Sequence, residues 1–177
     1  MPFIKAGRRV EDSFVRLRDD DPLPDELPAL VSAERFLAAS DEFAGRDAPI
    51  GVIWPNNRNI AELAPYLDQL ALVALAFPTF RDGRAYSQAR ILRERYGFRG
   101  EVRATGEVLR DQFLFLVRAG FDAFEIKKES DAAAFTAALR RYSVVYQPAA
   151  DERAPAVRRR FTEVIPLGYS TRTETVA

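Results

Sequence analysis

The chain has no cysteine and no histidine among its 177 residues. Without cysteine it makes no disulfide, runs no thiol redox chemistry and holds no cysteine-ligated iron–sulfur cluster. Without either residue it builds no Cys/His zinc site and no Ser-His-Asp or Cys-His catalytic arrangement. The two commonest protein ligands for haem iron go with them. What remains for acid–base work is Asp, Glu, Lys, Tyr or water assisted by Arg. Lysine is scarce too: Lys5, Lys127 and Lys128 are the only three, so arginine supplies the other 23 of the 26 basic charges. They balance 26 acidic charges. A net charge of zero lends no support to broad attraction toward nucleic acid or anionic lipid. There is no G-x-G-x-x-G and no P-loop, so nucleotide binding has no support either. No long apolar run is present. Leu70–Phe77 is the longest, far short of the ~20 residues that cross a bilayer. Met1–Val10 lacks the apolar core of a signal peptide. The expectation is a cytoplasmic protein with no membrane partner.

What is present is a β/α rhythm. Leu70–Phe77 is unbroken apolar sequence, the mark of a strand covered on both faces. Ile50–Trp54, Glu101–Thr105, Ala123–Ile126 and Ser143–Tyr146 read as further strands. Between them lie helix patterns: one capped by Ser32 and stopped near Gly45, one opened by Asn59 and shortened by Pro65, Arg84–Tyr96 ending at Gly97, Glu107–Ala119 ending at Gly120, and one capped by Ser130. Phe3–Lys5 and Ser13–Leu17 read as a hairpin. The fold class is therefore α/β: about five parallel strands in successive β/α units, as an open sheet or a partial barrel, behind an N-terminal hairpin. Patterning does not separate those two arrangements. Residues 1–148 are expected to form a single domain, with 1–20 as its hairpin appendage. The polar residues 149–177, with Arg158-Arg159-Arg160, read as a flexible tail. The aspartates Asp19-Asp20-Asp21 read as a solvated connector rather than a metal site. No metal site and no cofactor is expected.

Ligands of parallel α/β sheets bind beyond the carboxyl ends of the strands. That rule selects three loops. The richest follows Leu70–Phe77, where Asp82, Gly83 and Arg84 sit at a strand-to-helix turn with Ser87 and Gln88 one turn later. Arg84 could clamp an anion there, or simply pair with a nearby acid. The second is Gly106-Glu107 with Arg110 and Asp111 beyond it, and the third is Lys127-Lys128-Glu129. Arg103 lies within a strand that should be covered, and a buried arginine needs a partner. Asp82, Asp111 and Glu125 are the candidates. The candidate ligand-binding residues are thus Asp82, Arg84, Ser87, Arg103, Arg110 and Asp111, of which Asp82, Arg84 and Arg103 are expected to gather at one mouth. No catalytic residue is assigned.

FRDGRAYSQARILRERYGFRGEVRATGEVLRDQ, from Phe80, and the following RAGFDAFE resemble a bacterial family known as domain of unknown function 934. The resemblance runs from the Ile4–Leu17 region to Tyr146-Gln147-Pro148. Its motif residues fall here on Asp82, Gly83, Arg84, Ser87, Arg103, Gly106, Arg110 and Asp111. This chain departs from the family pattern at Ala119, where cysteine is common, and at Glu107, where aspartate is common. The resemblance implies an accessory role in reducing sulfite to sulfide, beside a sirohaem-dependent sulfite reductase as possible partner, and the label "oxidoreductase" often attached to the family is no demonstrated activity. Apart from the resemblance, the charged rim suggests a small barrel-like enzyme or anion-binding protein. A homo-oligomer is a further possibility, since a parallel fragment leaves open edges.

Overall fold

The structure is a computed structural model, and it describes residues 3–5, 8–126, 131–151 and 153–158. Its strands are β1 (Phe3–Lys5), β2 (Arg8–Val10), β3 (Val15–Arg16), β4 (Ala29–Ser32), β5 (Ile50–Trp54), β6 (Leu70–Phe77), β7 (Glu101–Gly106) and β8 (Ala123–Glu125). Its helices are α1 (Ala33–Ala38), α2 (Ser40–Phe43), α3 (Arg84–Arg90), α4 (Phe113–Ala119) and α5 (Asp131–Arg140). A 310 segment at Ile60–Gln69 joins β5 to β6, and a π-helical turn at Ile91–Arg95 continues α3. The eight strands form one sheet in the order β2-β1-β8-β7-β6-β5-β4-β3. From β8 to β3 all neighbours are parallel, while β1 is antiparallel to both β8 and β2.

The α/β class and the N-terminal hairpin stand, with a sheet of eight strands in place of about five. The hairpin's second strand is Arg8–Val10 rather than Ser13–Leu17; Val15–Arg16 pairs with β4 at the opposite edge. Ser143–Tyr146 contributes a single bridge, Val145 to Pro155, rather than a strand. Ala29–Ser32, not read as a strand from sequence, is paired on both sides.

That strand order fixes the shape. From β2 to β3 the sheet takes seven inter-strand steps, about 34 Å at ~4.8 Å each. The chain from Val10 to Val15 crosses that gap in five residues, which reach at most about 18 Å. The sheet must therefore curl until its edges approach, giving a half-barrel. An ion pair confirms the closeness: Arg16 Nη1 on β3 lies 3.9 Å from Glu125 Oε1 on β8, five strands away. Of the two arrangements the sequence left open, the partial barrel is the one formed.

Helices cover the convex face. Val73, Leu75, Val102, Ala104 and Phe124 pack there against Phe36, Ala85, Leu92, Phe113 and Phe135. Phe113, Phe124 and Phe135 form an aromatic triad with centroids 4.9 to 5.7 Å apart, joining β8 to α4 and α5. Truncating Phe124 to Ala should cost about 3–5 kcal/mol, the range for a large aromatic removed from a packed core; urea unfolding with an unchanged slope is the check. On the concave face, Leu30, Leu72 and Ala74 are covered by Phe14 and Ile53, so residues 11–14 act as a strap across the half-barrel. This explains how β6 is buried on both sides with helices on only one.

The local signals hold where chemistry dictates them. Ser32 accepts from Arg35 N at 3.1 Å and caps α1, though the helix breaks at Ala39 before α2. Asn59 accepts from Ala61 N, but the segment it opens is 310, with Pro65 inside it. Asp19 and Asp21 are structural acceptors, for Ser32 Oγ and Arg18 N. Beyond α5, Ala150 N bonds to Arg118 O and Ala156 N to Val145 O. Lys127, Lys128, Glu129, the Ser130 cap and Arg159 onward lie outside the described residues.

Candidate functional site at the strand ends

The carboxyl end of β6 delivers Asp82 and Arg84. Asp82 N bonds to Thr79 O at 3.1 Å, turning the chain, and Asp82 Oδ1 accepts from Arg84 N at 3.3 Å as α3 begins. The Arg84 side chain then folds back on the same carboxylate, Nε to Oδ1 at 2.9 Å and Nη2 to Oδ2 at 2.6 Å. This is a bidentate fork, the strongest geometry an arginine–carboxylate pair offers. The Arg84 hydrogen bonds hold the Asp82 carboxyl well below the usual range, with partial burial opposing them and Asn56 assisting. Arg84 is 57% exposed, so the pair is open to water and to an exchange of partner, but an incoming anion competes with a carboxylate already in place.

Asn56 and Gln88 complete this corner, and neither was singled out as a ligand residue by the sequence. Asn56 follows β5 and is buried; Gln88 is buried on the inner side of α3. Gln88 Nε2 donates to Pro55 O at 3.2 Å and Arg58 O at 2.9 Å, pinning the turn after β5. Those two carbonyls fix which end of the amide is nitrogen. They leave Gln88 Oε1 buried without a donor, and Asn56 Nδ2 without a hydrogen-bonded acceptor although it lies close enough to Asp82 to lower its pKa.

The other expected site residues disperse. Ser87 is exposed on α3. Arg110 Nε pairs with Asp131 Oδ1 at 2.6 Å, tying the 310 turn Arg110–Gln112 to the start of α5. Asp111 is exposed, and its charge joins with burial to push the Tyr86 hydroxyl up to about 12. Burial is the larger cause. Because Tyr86 binds its proton more tightly folded than unfolded, its contribution to stability is complete below pH ~10 and is lost as pH rises toward ~12. A tyrosinate absorbance titration should show one late-titrating tyrosine, absent in Tyr86→Phe.

Arg103 stands apart from the rim. It is in register with Ala74, three residues before β6 ends at Phe77, so it lies about 10 Å below the strand ends. Its side chain points to the concave face and is 1% exposed. There Nη1 and Nη2 reach Asp12 Oδ2 and Oδ1 at 2.6 and 3.1 Å, Nε reaches Glu101 Oε1 at 2.8 Å, and the guanidinium lies 4.4 Å from the Phe3 ring centre. Its partners are thus Asp12 and Glu101, not the three acids the sequence suggested. They hold it charged against the desolvation that burial imposes. Glu125 is occupied otherwise, accepting from Thr105 Oγ1.

The rim also carries apolar surface. Phe80 and Leu109 are exposed, and Gln112 links them: its Nε2 donates to Phe80 O at 2.9 Å and its Oε1 accepts from Leu109 N at 3.1 Å. The Arg81 guanidinium stacks 5.4 Å from the Phe80 ring centre.

The fold and this rim define a class: a curled α/β half-barrel whose rim charges pair among themselves beside exposed aromatic surface. No helix among the described residues is long and apolar enough to cross a membrane. The family model described as "Bacterial protein of unknown function (DUF934)" matches residues 51–157, more than half of the chain, and the chain belongs to that family. The match spans the whole rim and begins after the strap that supplies Asp12. No curated protein matches the chain.

Proposed function

We propose that this protein is an accessory of assimilatory sulfite and sulfate reduction, working in the cytoplasm with a sirohaem-dependent sulfite reductase. The family resemblance supplies the process. The observation that favours an accessory over a self-contained catalyst is the state of the rim. Asp82 closes on Arg84 and Arg110 on Asp131, whereas Phe80 and Leu109 stand open beside Arg81. Charges satisfied internally beside exposed aromatic surface suit protein docking better than capture of a small anion. A strain deleted for the gene, with no second copy, should grow on cysteine and fail on sulfate. Normal growth on sulfate rejects the proposal.

The second reading, a small barrel-like enzyme or anion binder with an Asp/Arg site at the strand ends, has one observation in its favour. Two buried amides, Asn56 and Gln88, keep an atom without a hydrogen-bonded partner, and Asn56 lies close enough to Asp82 to lower its pKa. Thermal shift against sulfite, sulfate, phosphate and sugar phosphates separates the readings. A stabilising anion whose effect disappears in Arg84→Ala favours the second.

A further inference from the structure

Exposed apolar surface is not confined to the rim. Three residues beyond Gln112, which holds Phe80 and Leu109 together, α4 presents Phe115. Phe115 is 63% exposed, an uncommon state for a phenylalanine in the middle of a helix. It opens into a cleft of ≈ 290 Å³ between α3, α4 and the chain after Tyr146, lined by Tyr86, Arg90, Phe115, Arg118 and Gln147-Pro148. Tyr146, 79% exposed, immediately precedes that wall.

The chemistry of the lining is one-sided. It holds two arginines, two aromatic rings and no carboxylate. Arg118 is held in place, with Nη2 on Gln147 O and Nε 3.5 Å from Asp151 Oδ2. Among the described residues Arg90 pairs with Glu94, at 3.1 and 3.2 Å, in an exposed i, i+4 arrangement. Such pairs contribute a few tenths of a kcal/mol at most and exchange readily for a better acid. A partner carboxylate reaching Arg90 therefore displaces little, and an apolar side chain beside it covers Phe115.

We propose that the α3–α4 cleft docks an acidic protein segment that carries an aromatic or branched apolar side chain. The carboxylates meet Arg90 and Arg118, and the apolar side chain packs against Phe115 and Tyr86. Resting on the reading above, the segment belongs to the sulfite reductase. The charge of the lining selects an acidic occupant over a basic one, and Phe115 makes the contact more than electrostatic.

The experiment has two arms on the full chain. In the first, purified sulfite reductase is titrated onto the wild type, Phe115→Ser, Arg90→Glu and, as a control with the same charge change at the opposite end of the strands, Arg99→Glu. In the second, the same four proteins meet a labelled peptide of glutamates flanking a phenylalanine, against the same peptide with lysine for glutamate. The expected result is binding of reductase and acidic peptide, each weakened tenfold or more by Phe115→Ser and Arg90→Glu, unchanged by Arg99→Glu, and weakened by salt. Acidic peptide bound through Phe115 and Arg90 without any binding of reductase keeps the cleft and overturns the reductase as partner. Reductase bound equally by all four proteins keeps the accessory role and overturns the cleft. Equal binding of lysine and glutamate peptides, or no binding in either arm, overturns the cleft proposal.

Discussion

Replacing Arg103 with Ala should lower stability by about 3–5 kcal/mol, the range for removing one partner of a buried ion pair. The reason lies in what it leaves behind. Glu101 has 9% of its side chain exposed and Asp12 30%; Asp12 loses its cation, and Glu101 is left with Lys5, 2.6 Å away. Asp12 also loses its hold on the strap. Because residues 11–14 span the mouth of the curl, releasing them uncovers Leu30, Leu72 and Ala74 as well. For a domain with about 5–15 kcal/mol in total, that is a large share. Asp12→Ala should cost less, since Asp12 is closer to water and Glu101 still neutralises Arg103. Combining Arg103→Met with Asp12→Asn should recover part of the loss, because it removes the unpaired charge and fills the space while Glu101 keeps Lys5. Chemical denaturation of the three variants orders them, and an Arg103→Ala protein as stable as the wild type would show that the tie closes nothing.

The second large effect belongs to Gly106, the last residue of β7. Its φ is +91°, a conformation L side chains rarely adopt, and an added Cβ would meet Phe77 O at 2.5 Å. The obstacle is backbone, and it does not swing away. Phe77 O is also engaged, accepting Glu107 N at 2.8 Å where the loops after β6 and β7 leave the sheet. Gly106→Ala must therefore push apart the ends of the two central strands. The expected cost is at least about 3 kcal/mol, combining backbone strain with the contact. Soluble yield and thermal unfolding read it directly. A near-neutral Gly106→Ala would mean that the β6–β7 rim is looser than described.

Much of this architecture is legible in the residues, for identifiable reasons. Leu70–Phe77 is apolar throughout because the strap buries Leu72 and Ala74 on the concave face while helices bury Val73, Leu75 and Phe77 on the other. Gly97 and Gly120, with φ +64° and +105°, end their helices as glycines in that region do. The missed elements lack such marks. Arg8–Val10 is mostly charged because β2 is an edge strand. Ala29–Ser32 is four residues long and runs straight into α1, so no turn separates strand from helix. Ser143–Tyr146 has the composition of a strand, yet among the described residues it bridges just to Pro155, a residue with no N–H to extend a ladder.

The site divides in the same way. Asp82 and Arg84 are two residues apart in sequence, so their pairing is readable. Arg103 and Asp12 are 91 residues apart, and only the curl brings them together. Asn56 and Gln88 are neutral amides; nothing about an isolated Asn or Gln shows that it will be buried with an atom unpaired. Phe115 follows an inward-facing Phe113 and precedes an inward-facing Leu116, and its exposure depends on whether anything packs over α4. The segment at 147–149 stops beside it and forms a cleft instead.

The account rests on this protein supporting sulfite reduction through its docking surface. The most direct measurement is sulfite reductase turnover, read as sulfide produced, in extracts of a strain lacking the protein. Turnover should be low, rise when purified wild-type protein is added, and stay low with folded Phe80→Ser or Phe115→Ser. Equal turnover with and without the protein would contradict the account.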